Sequence, residues 1–122
     1  MASEPDRTFS TSEIAVIHDM SEAHLSKVMQ RLVHADIVTS TRGPGGGFRL
    51  AKKPDEISLL EVFEAVEGPL RPRNCLFDRK VCGDCGCIMG DLLEDINWMV
   101  EDYLMRTYLT DMTFVYDRLL KR

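Results

Sequence analysis

Residues 42 to 47 read Arg-Gly-Pro-Gly-Gly-Gly, and no other stretch limits the possible folds of this chain as strongly. Glycine so concentrated cannot continue a helix, because each one gives up more backbone freedom on folding than any other residue. On one side lies Ile37-Val38-Thr39-Ser40-Thr41 and on the other Phe48-Arg49-Leu50-Ala51. β-Branched and aromatic residues suit extended backbone, so the pattern predicts two strands joined by a tight turn. A phosphate-cradling loop is the competing reading of the glycines. It fails on context, since such a loop ends in Gly-Lys-Ser/Thr entering a helix and this one enters a strand.

The segment before the hairpin has helical spacing. Ser10 with Glu13 has the form of a capping box and predicts a short helix from about Thr11 to His18, with Ile14, Ala15 and Ile17 on its apolar side. Ser21 is a second N-cap, with Glu22 in the positive first turn of the next helix. In that helix Leu25, Val28, Met29 and Leu32 form one apolar stripe. Ala23, His24, Ser26, Lys27, Gln30 and Arg31 then face outward. Two short helices joined by a brief turn, the second polar outside, form a helix-turn-helix whose second helix can enter a major groove. A hairpin directly after it is a wing. Arg42 and Arg49, with Lys52 and Lys53 beyond, are placed to meet phosphates or a narrow minor groove. Gly43, Gly45 and Gly46 are candidate DNA contacts beside them, and the alternative for each glycine taken singly is that it merely turns the chain.

Charge supports this division of labour. The net charge of -5 argues against a nonspecific nucleic-acid coat, but residues 1 to 53 carry seven Lys/Arg against six acids and the remainder eight against fourteen. The N-terminus MASEPDRTFS lacks the pattern of a secretion signal, and no apolar run approaches the roughly 18 residues needed to span a bilayer. A cytoplasmic protein is expected.

Ser58 with Glu61 predicts another capped helix, from about Leu59 to Val66, stopped by Gly68-Pro69. Residues 70 to 87 read as loop. From about Met89 to Arg106 the pattern is helical again, a helix of about 27 Å whose stripe of Leu92, Leu93, Ile96, Met99, Val100, Tyr103 and Leu104 exceeds what one small winged domain can cover. A partner subunit is the natural cover. Trp98 is either a further contact with that partner or a half-exposed core edge, and a last helix from Thr110 to Lys121 docks back. The fold class is therefore mainly α with a small β-hairpin: a winged helix-turn-helix over residues 1–69, a cysteine loop over 70–88, and a long dimerisation helix with a C-terminal helix over 89–122.

All four cysteines, Cys75, Cys82, Cys85 and Cys87, fall in that loop. Thiols clustered in a reducing compartment more often bind metal or sense oxidants than staple a fold. Soft sulfur ligands select zinc, copper(I) or iron-sulfur clusters, and composition leaves the choice open. Only Cys82-Gly-Asp-Cys85 has the form of a zinc knuckle. His18, His24 and His34 lie far from the loop in sequence and read as surface or core residues.

Together these residues resemble the bacterial winged-helix iron-sulfur regulators of the IscR/NsrR type, the Rrf2 family. The resemblance runs from about Ser12 to Asp111 and is carried by Glu13-Ile14-Ala15, Ala35-Asp36-Ile37-Val38, the wing from Arg42 to Ala51, Ile57-Ser58-Leu59, Ala65-Val66-Glu67-Gly68, the spaced cysteines and Thr107-Tyr108-Leu109-Thr110-Asp111. It implies a homodimer with crossed long helices, the helix over residues 21 to 34 in the major groove of a palindromic double-stranded DNA site, and the wing flanking it. It also implies a [2Fe-2S] or [4Fe-4S] cluster held by Cys75, Cys82 and Cys87, whose state alters DNA affinity, with zinc as the alternative. The second and third cysteines are one residue closer than is usual in the family. Cys85 is additional and stands as a candidate fourth ligand, and Ile88-Met89-Gly90 stands where the assembly repressor has a histidine. The family begins with a further helix, of which MASEPDRTFS resembles only the tail; without it Ile14, Ile17 and Leu25 are expected to be exposed, unless that helix lies upstream or other residues cover the face.

The expected function is sequence-specific transcription regulation, as a repressor, responsive to a cluster or to thiol redox state. A winged-helix adaptor that binds protein and a zinc-stabilised regulator without redox sensing are the alternatives. An iron-sulfur electron carrier would need neither wing nor reading helix. No acid-base pair or nucleophile-base constellation is visible, so neither an enzyme nor a small-molecule substrate is expected.

Overall fold

The computed structural model describes residues 1–79, 81–83 and 86–120. Along the chain run α1 (Thr11–His18), α2 (Glu22–His34), β1 (Val38–Thr41), β2 (Gly47–Leu50), a 3-10 turn (Pro54–Glu56), α3 (Leu59–Glu67), α4 (Leu92–Arg106) and α5 (Leu109–Leu120). The caps explain the helix starts. Glu13 N–H donates to Ser10 Oγ at 3.1 Å while Ser10 N–H donates to the Glu13 carboxylate at 2.9 Å. Ser58 and Glu61 repeat the exchange at 3.2 and 2.9 Å. At α2, Ser21 Oγ accepts from His24 N–H at 3.5 Å. These bonds satisfy donors that a helix start leaves free.

α2 ends in a turn that serves its last carbonyls. Asp36 N–H donates to Val33 O and Ile37 N–H to Leu32 O, both at 3.0 Å, with Asp36 left-handed at φ 58°. The chain then enters β1 with Ile37 and Val38 buried. β1 and β2 are antiparallel, with Val38 opposite Leu50, Thr39 opposite Arg49, Ser40 opposite Phe48 and Thr41 opposite Gly47.

The core gathers Ala15 from α1, Leu25 and Met29 from α2, Ile37, Val38 and the wholly buried Ile57. Of the three residues expected to be exposed, Ile17 is, at 54%, but Leu25 is only 5% exposed, and Ile14 is half-buried against the core. The N-terminal residues supply the cover. Met1 packs against the core and, with Phe9 and Ile14, lines a cavity of about 340 Å³. Phe9 also adds a one-residue third strand to the wing: its N–H donates to Phe48 O at 2.8 Å, and Phe48 N–H donates to Phe9 O at 2.7 Å. Arg7 stacks over the Phe9 ring at 4.5 Å and pairs with Glu13 at 2.8 Å.

α4 starts at Leu92, three residues later than the apolar pattern predicts. Gly90, left-handed at φ 55°, breaks the helix, so α4 spans 15 residues and about 22 Å rather than about 27 Å. At its far end the chain turns back onto the winged domain. Leu59 N–H donates to Thr107 O at 2.8 Å, and Leu109 N–H donates to Ile57 O at 3.0 Å, an isolated bridge between Ser58 and Tyr108. Leu109 packs on the core, so α5 docks back as expected; Lys121, its expected end, lies outside the described residues.

The two faces of α4 differ. Leu93, Asn97 and Leu104 are half-buried. Leu92, Ile96, Met99 and Tyr103 are 48%, 45%, 64% and 55% exposed, and Trp98 is 67% exposed. Among the described residues no helix is long and apolar enough to cross a membrane.

Candidate nucleic-acid interface

The N-cap of α2 and the buried stripe through Leu25 and Met29 fix which side of this helix faces solvent. Ser21, Ala23, His24, Lys27, Gln30 and Arg31 are exposed, and Ser26 is half-buried. Among the described residues neither Lys27 nor His24 has an ion partner. Arg31 differs: its guanidinium donates to the Val66 carbonyl at 2.6 Å. Lys27, Gln30, Arg31, His34 and, from α3, Glu64 surround an open depression of about 560 Å³.

The wing places Arg42 at the end of β1 and Arg49 within β2, both exposed and without an ion partner among the described residues. Its glycines have separate duties. A Cβ on Gly46 would lie 2.3 Å from Thr41 O and 2.8 Å from Gly43 O, and one on Gly47 would lie 2.3 Å from Phe9 O. Gly43 and Gly45 face open space but are left-handed, at φ 98° and 74°. So Gly46 and Gly47 close the turn, while Gly43 and Gly45 leave its tip free of side chains. Lys52 is partly committed inward, to Glu61 at 3.4 Å. The N–H of Ser58 and nearby Lys52 hold the Glu61 carboxyl below the usual carboxylate range against the opposing effect of burial.

The cysteine loop has neither helix nor strand from Leu70 to Cys75. Cys75 and Cys82 are half-buried thiols and Cys87 an exposed one, all three free of disulfides. Met89 N–H donates to Cys87 Sγ at 3.4 Å. Cys85 lies outside the described residues. Among the described residues no group of three or more His, Cys, Asp or Glu side chains is gathered as a metal site. The donor chemistry nonetheless fits a soft metal centre, because three free thiols share one loop and one already accepts a backbone N–H. Left-handed Gly83 and Gly86, at φ 61° and 100°, give that loop sharp turns.

Three contacts escape the sequence pattern. Phe9 is a lone aromatic before a cap, without periodicity to mark it. Asn97 Nδ2 donates to Arg73 O at 2.8 Å and Leu70 N–H to the Glu64 carboxylate at 3.1 Å; both join segments whose meeting depends on tertiary packing.

Comparison with known proteins is consistent with this geometry. The family described as Rrf2, iron-dependent transcriptional regulator, matches residues 1–114. A protein of Aquifex aeolicus described as an HTH-type transcriptional regulator is 30% identical over 116 residues, covering 93% of this chain and 81% of its own length. The HTH-type transcriptional regulator IscR of Aliivibrio salmonicida is 31% identical over 93 residues, 76% of this chain and 55% of the relative. The chain thus spans about half the length of that relative, and 43% of the BadM regulator of Rhodopseudomonas palustris. Among solved structures, CymR, the global cysteine regulator of B. subtilis, superposes with a TM-score of 0.76 at 28% identity, over 93% of this chain and 84% of CymR. IscR of T. potens gives 0.68 at 28% identity, over 91% and 73%.

Proposed function

This chain belongs to the Rrf2 family, a non-enzymatic family of DNA-binding transcriptional regulators, and on that premise we propose that it represses transcription as a homodimer on a palindromic double-stranded DNA site. The exposed cations of α2 and the wing, Lys27, Arg42 and Arg49, carry this reading. Ser21, Ala23, His24, Ser26, Lys27 and Gln30 meet the major groove; Arg42 and Arg49, with the bare backbone of Gly43, Gly45 and Gly46, follow the adjacent phosphates or minor groove. The sequence pattern places Arg31 among them too, but its contact with Val66 O competes for the same guanidinium. Residues 1–69 serve as the DNA-binding unit, 70–88 as the sensing loop, and 89–122 as the dimerisation helix followed by the C-terminal helix. The exposed row of Leu92, Ile96, Met99 and Tyr103 has the four-and-three spacing of a helix-pair seam, which supports a twofold partner.

In this reading Cys75, Cys82 and Cys87 hold an iron-sulfur cluster, which would supply the response to iron or oxidants. The chain's own part is to keep the half-buried thiols shielded and to let the loop between α3 and α4 change its path when they change state. Because two reading helices must sit about 34 Å apart along the duplex, a small rotation of the subunits weakens binding.

Fluorescence anisotropy with duplexes selected from a random pool tests the DNA claim: binding should be sequence-selective and fall steeply with salt. Salt-insensitive binding, or equal affinity for every duplex, would refute it. For the cofactor, anaerobically purified protein should show visible charge-transfer absorbance with iron and acid-labile sulfide. Colourless protein with stoichiometric zinc would replace the cluster by a structural metal.

A further inference from the structure

The cationic end of α2 is linked to the cysteine loop by a short series of polar contacts. Arg31 Nη1 donates to Val66 O, near the end of α3, at 2.6 Å. One turn of α3 also carries Glu64, whose carboxylate takes the N–H of Leu70 at 3.1 Å, just beyond Gly68-Pro69. Asn97, on the half-buried face of α4, donates to Arg73 O at 2.8 Å, two residues before Cys75. The stretch from Leu70 to Cys75 lacks its own ladder of backbone bonds, so these side chains take the place of ladder partners in setting its path.

Arg31 is well placed for such a task and poorly placed for base reading. It lies in the last turn of α2, and its guanidinium is already turned onto the Val66 carbonyl of α3, whereas its neighbour Gln30 has no such contact among the described residues. A guanidinium donating to a carbonyl also forms a stronger bond than a neutral donor does. α3, with nine residues, is short enough to shift as a unit when either end is pulled.

We propose that Arg31 is a positioning residue and not a DNA contact: with Glu64 and Asn97 it locks the reading helix to the cysteine loop, so that a change in the loop's path displaces α2. The consequence for DNA rests on the function proposed above; the mechanical link does not.

The link is tested first without DNA, by hydrogen exchange on the full chain stripped of iron with a chelator. Asn97→Ala should speed exchange over residues 70–79 and also over the last turns of α2, leaving α1 unchanged. Acceleration confined to 70–79 overturns the proposal. Glu64→Ala should behave like Asn97→Ala, and Glu64→Gln, which keeps an acceptor for Leu70 N–H, like the wild type; this pair decides the matter if Asn97→Ala does not fold. The second test compares DNA affinity of iron- and sulfide-reconstituted protein with that of stripped protein. A wild-type ratio within roughly 5 to 150-fold is the range of ordinary coupling. Arg31→Met should bring that ratio towards one without altering the salt dependence. A shallower salt dependence with the ratio intact makes Arg31 a phosphate contact and refutes the proposal. A wild-type ratio of one refutes the sensing function instead, while the exchange result still decides the link.

Discussion

Gly46 and Gly47 show why a turn can need several glycines for different reasons. At Gly46 an added methyl group meets Thr41 O and Gly43 O, and at Gly47 it meets Phe9 O; neither obstacle is a side chain that can swing away. Gly46→Ala and Gly47→Ala should each lose about 2 kcal/mol in urea unfolding, and Gly43→Ala, strained but unobstructed, about 1 kcal/mol. Equal losses at all three positions would exclude these close backbone approaches as the cause. Glu61 offers a pH test. Its carboxyl is held low chiefly by Ser58 N–H, so the folded state gains from its ionisation. That gain is complete above the unfolded value of about 4.3 and disappears as the pH falls through the lower folded value. Glu61→Gln retains an acceptor but cannot titrate. Its urea midpoint should therefore drop less than that of the wild type between pH 7 and pH 3, and parallel acid profiles would remove Glu61 from the account.

At the scale of elements, the proposed function divides the work of binding between α2 and the wing. Arg42→Ala should weaken binding to all duplexes and make the plot of log affinity against log salt shallower by about one. Gln30→Ala should instead relax sequence choice at constant slope; anisotropy on selected and scrambled duplexes separates the two. Much of this arrangement is legible in the residues because its signals are local. Ser10 with Glu13 and Ser58 with Glu61 mark helix starts within one turn, and the glycines mark the wing. The start of α4 is misread because Met89 continues the apolar pattern, while the left-handed Gly90 overrides it. Phe9 pairing with Phe48, and Arg31 reaching Val66, are set by packing between distant segments, to which periodicity is blind. The cysteines are legible as a cluster in sequence, but spacing alone does not say how closely the loop draws them together.

At the scale of the whole molecule, α4 carries an apolar face without cover among the described residues. Leu92, Ile96, Met99 and Tyr103 line the side of α4 away from its own half-buried residues, and charge placed there should disrupt the pairing proposed for this face while sparing the fold. Met99→Asp should shift the sedimenting species from dimer to monomer, weakening association by ~30-fold or more, the equivalent of about 2 kcal/mol at an interface hot spot. An unchanged dimer would place the interface elsewhere.

The bridge between Ser58 and Tyr108 has a bearing on how the protein is made. Synthesis runs from the N-terminus, so the ribosome releases the reading helix and wing long before Thr107 and Leu109 leave the exit tunnel. Until they do, the N–H of Leu59 lacks its acceptor and the carbonyl of the wholly buried Ile57 lacks its donor. The winged module is thus completed only after residues 107 to 109, some fifty positions further along the chain, have emerged.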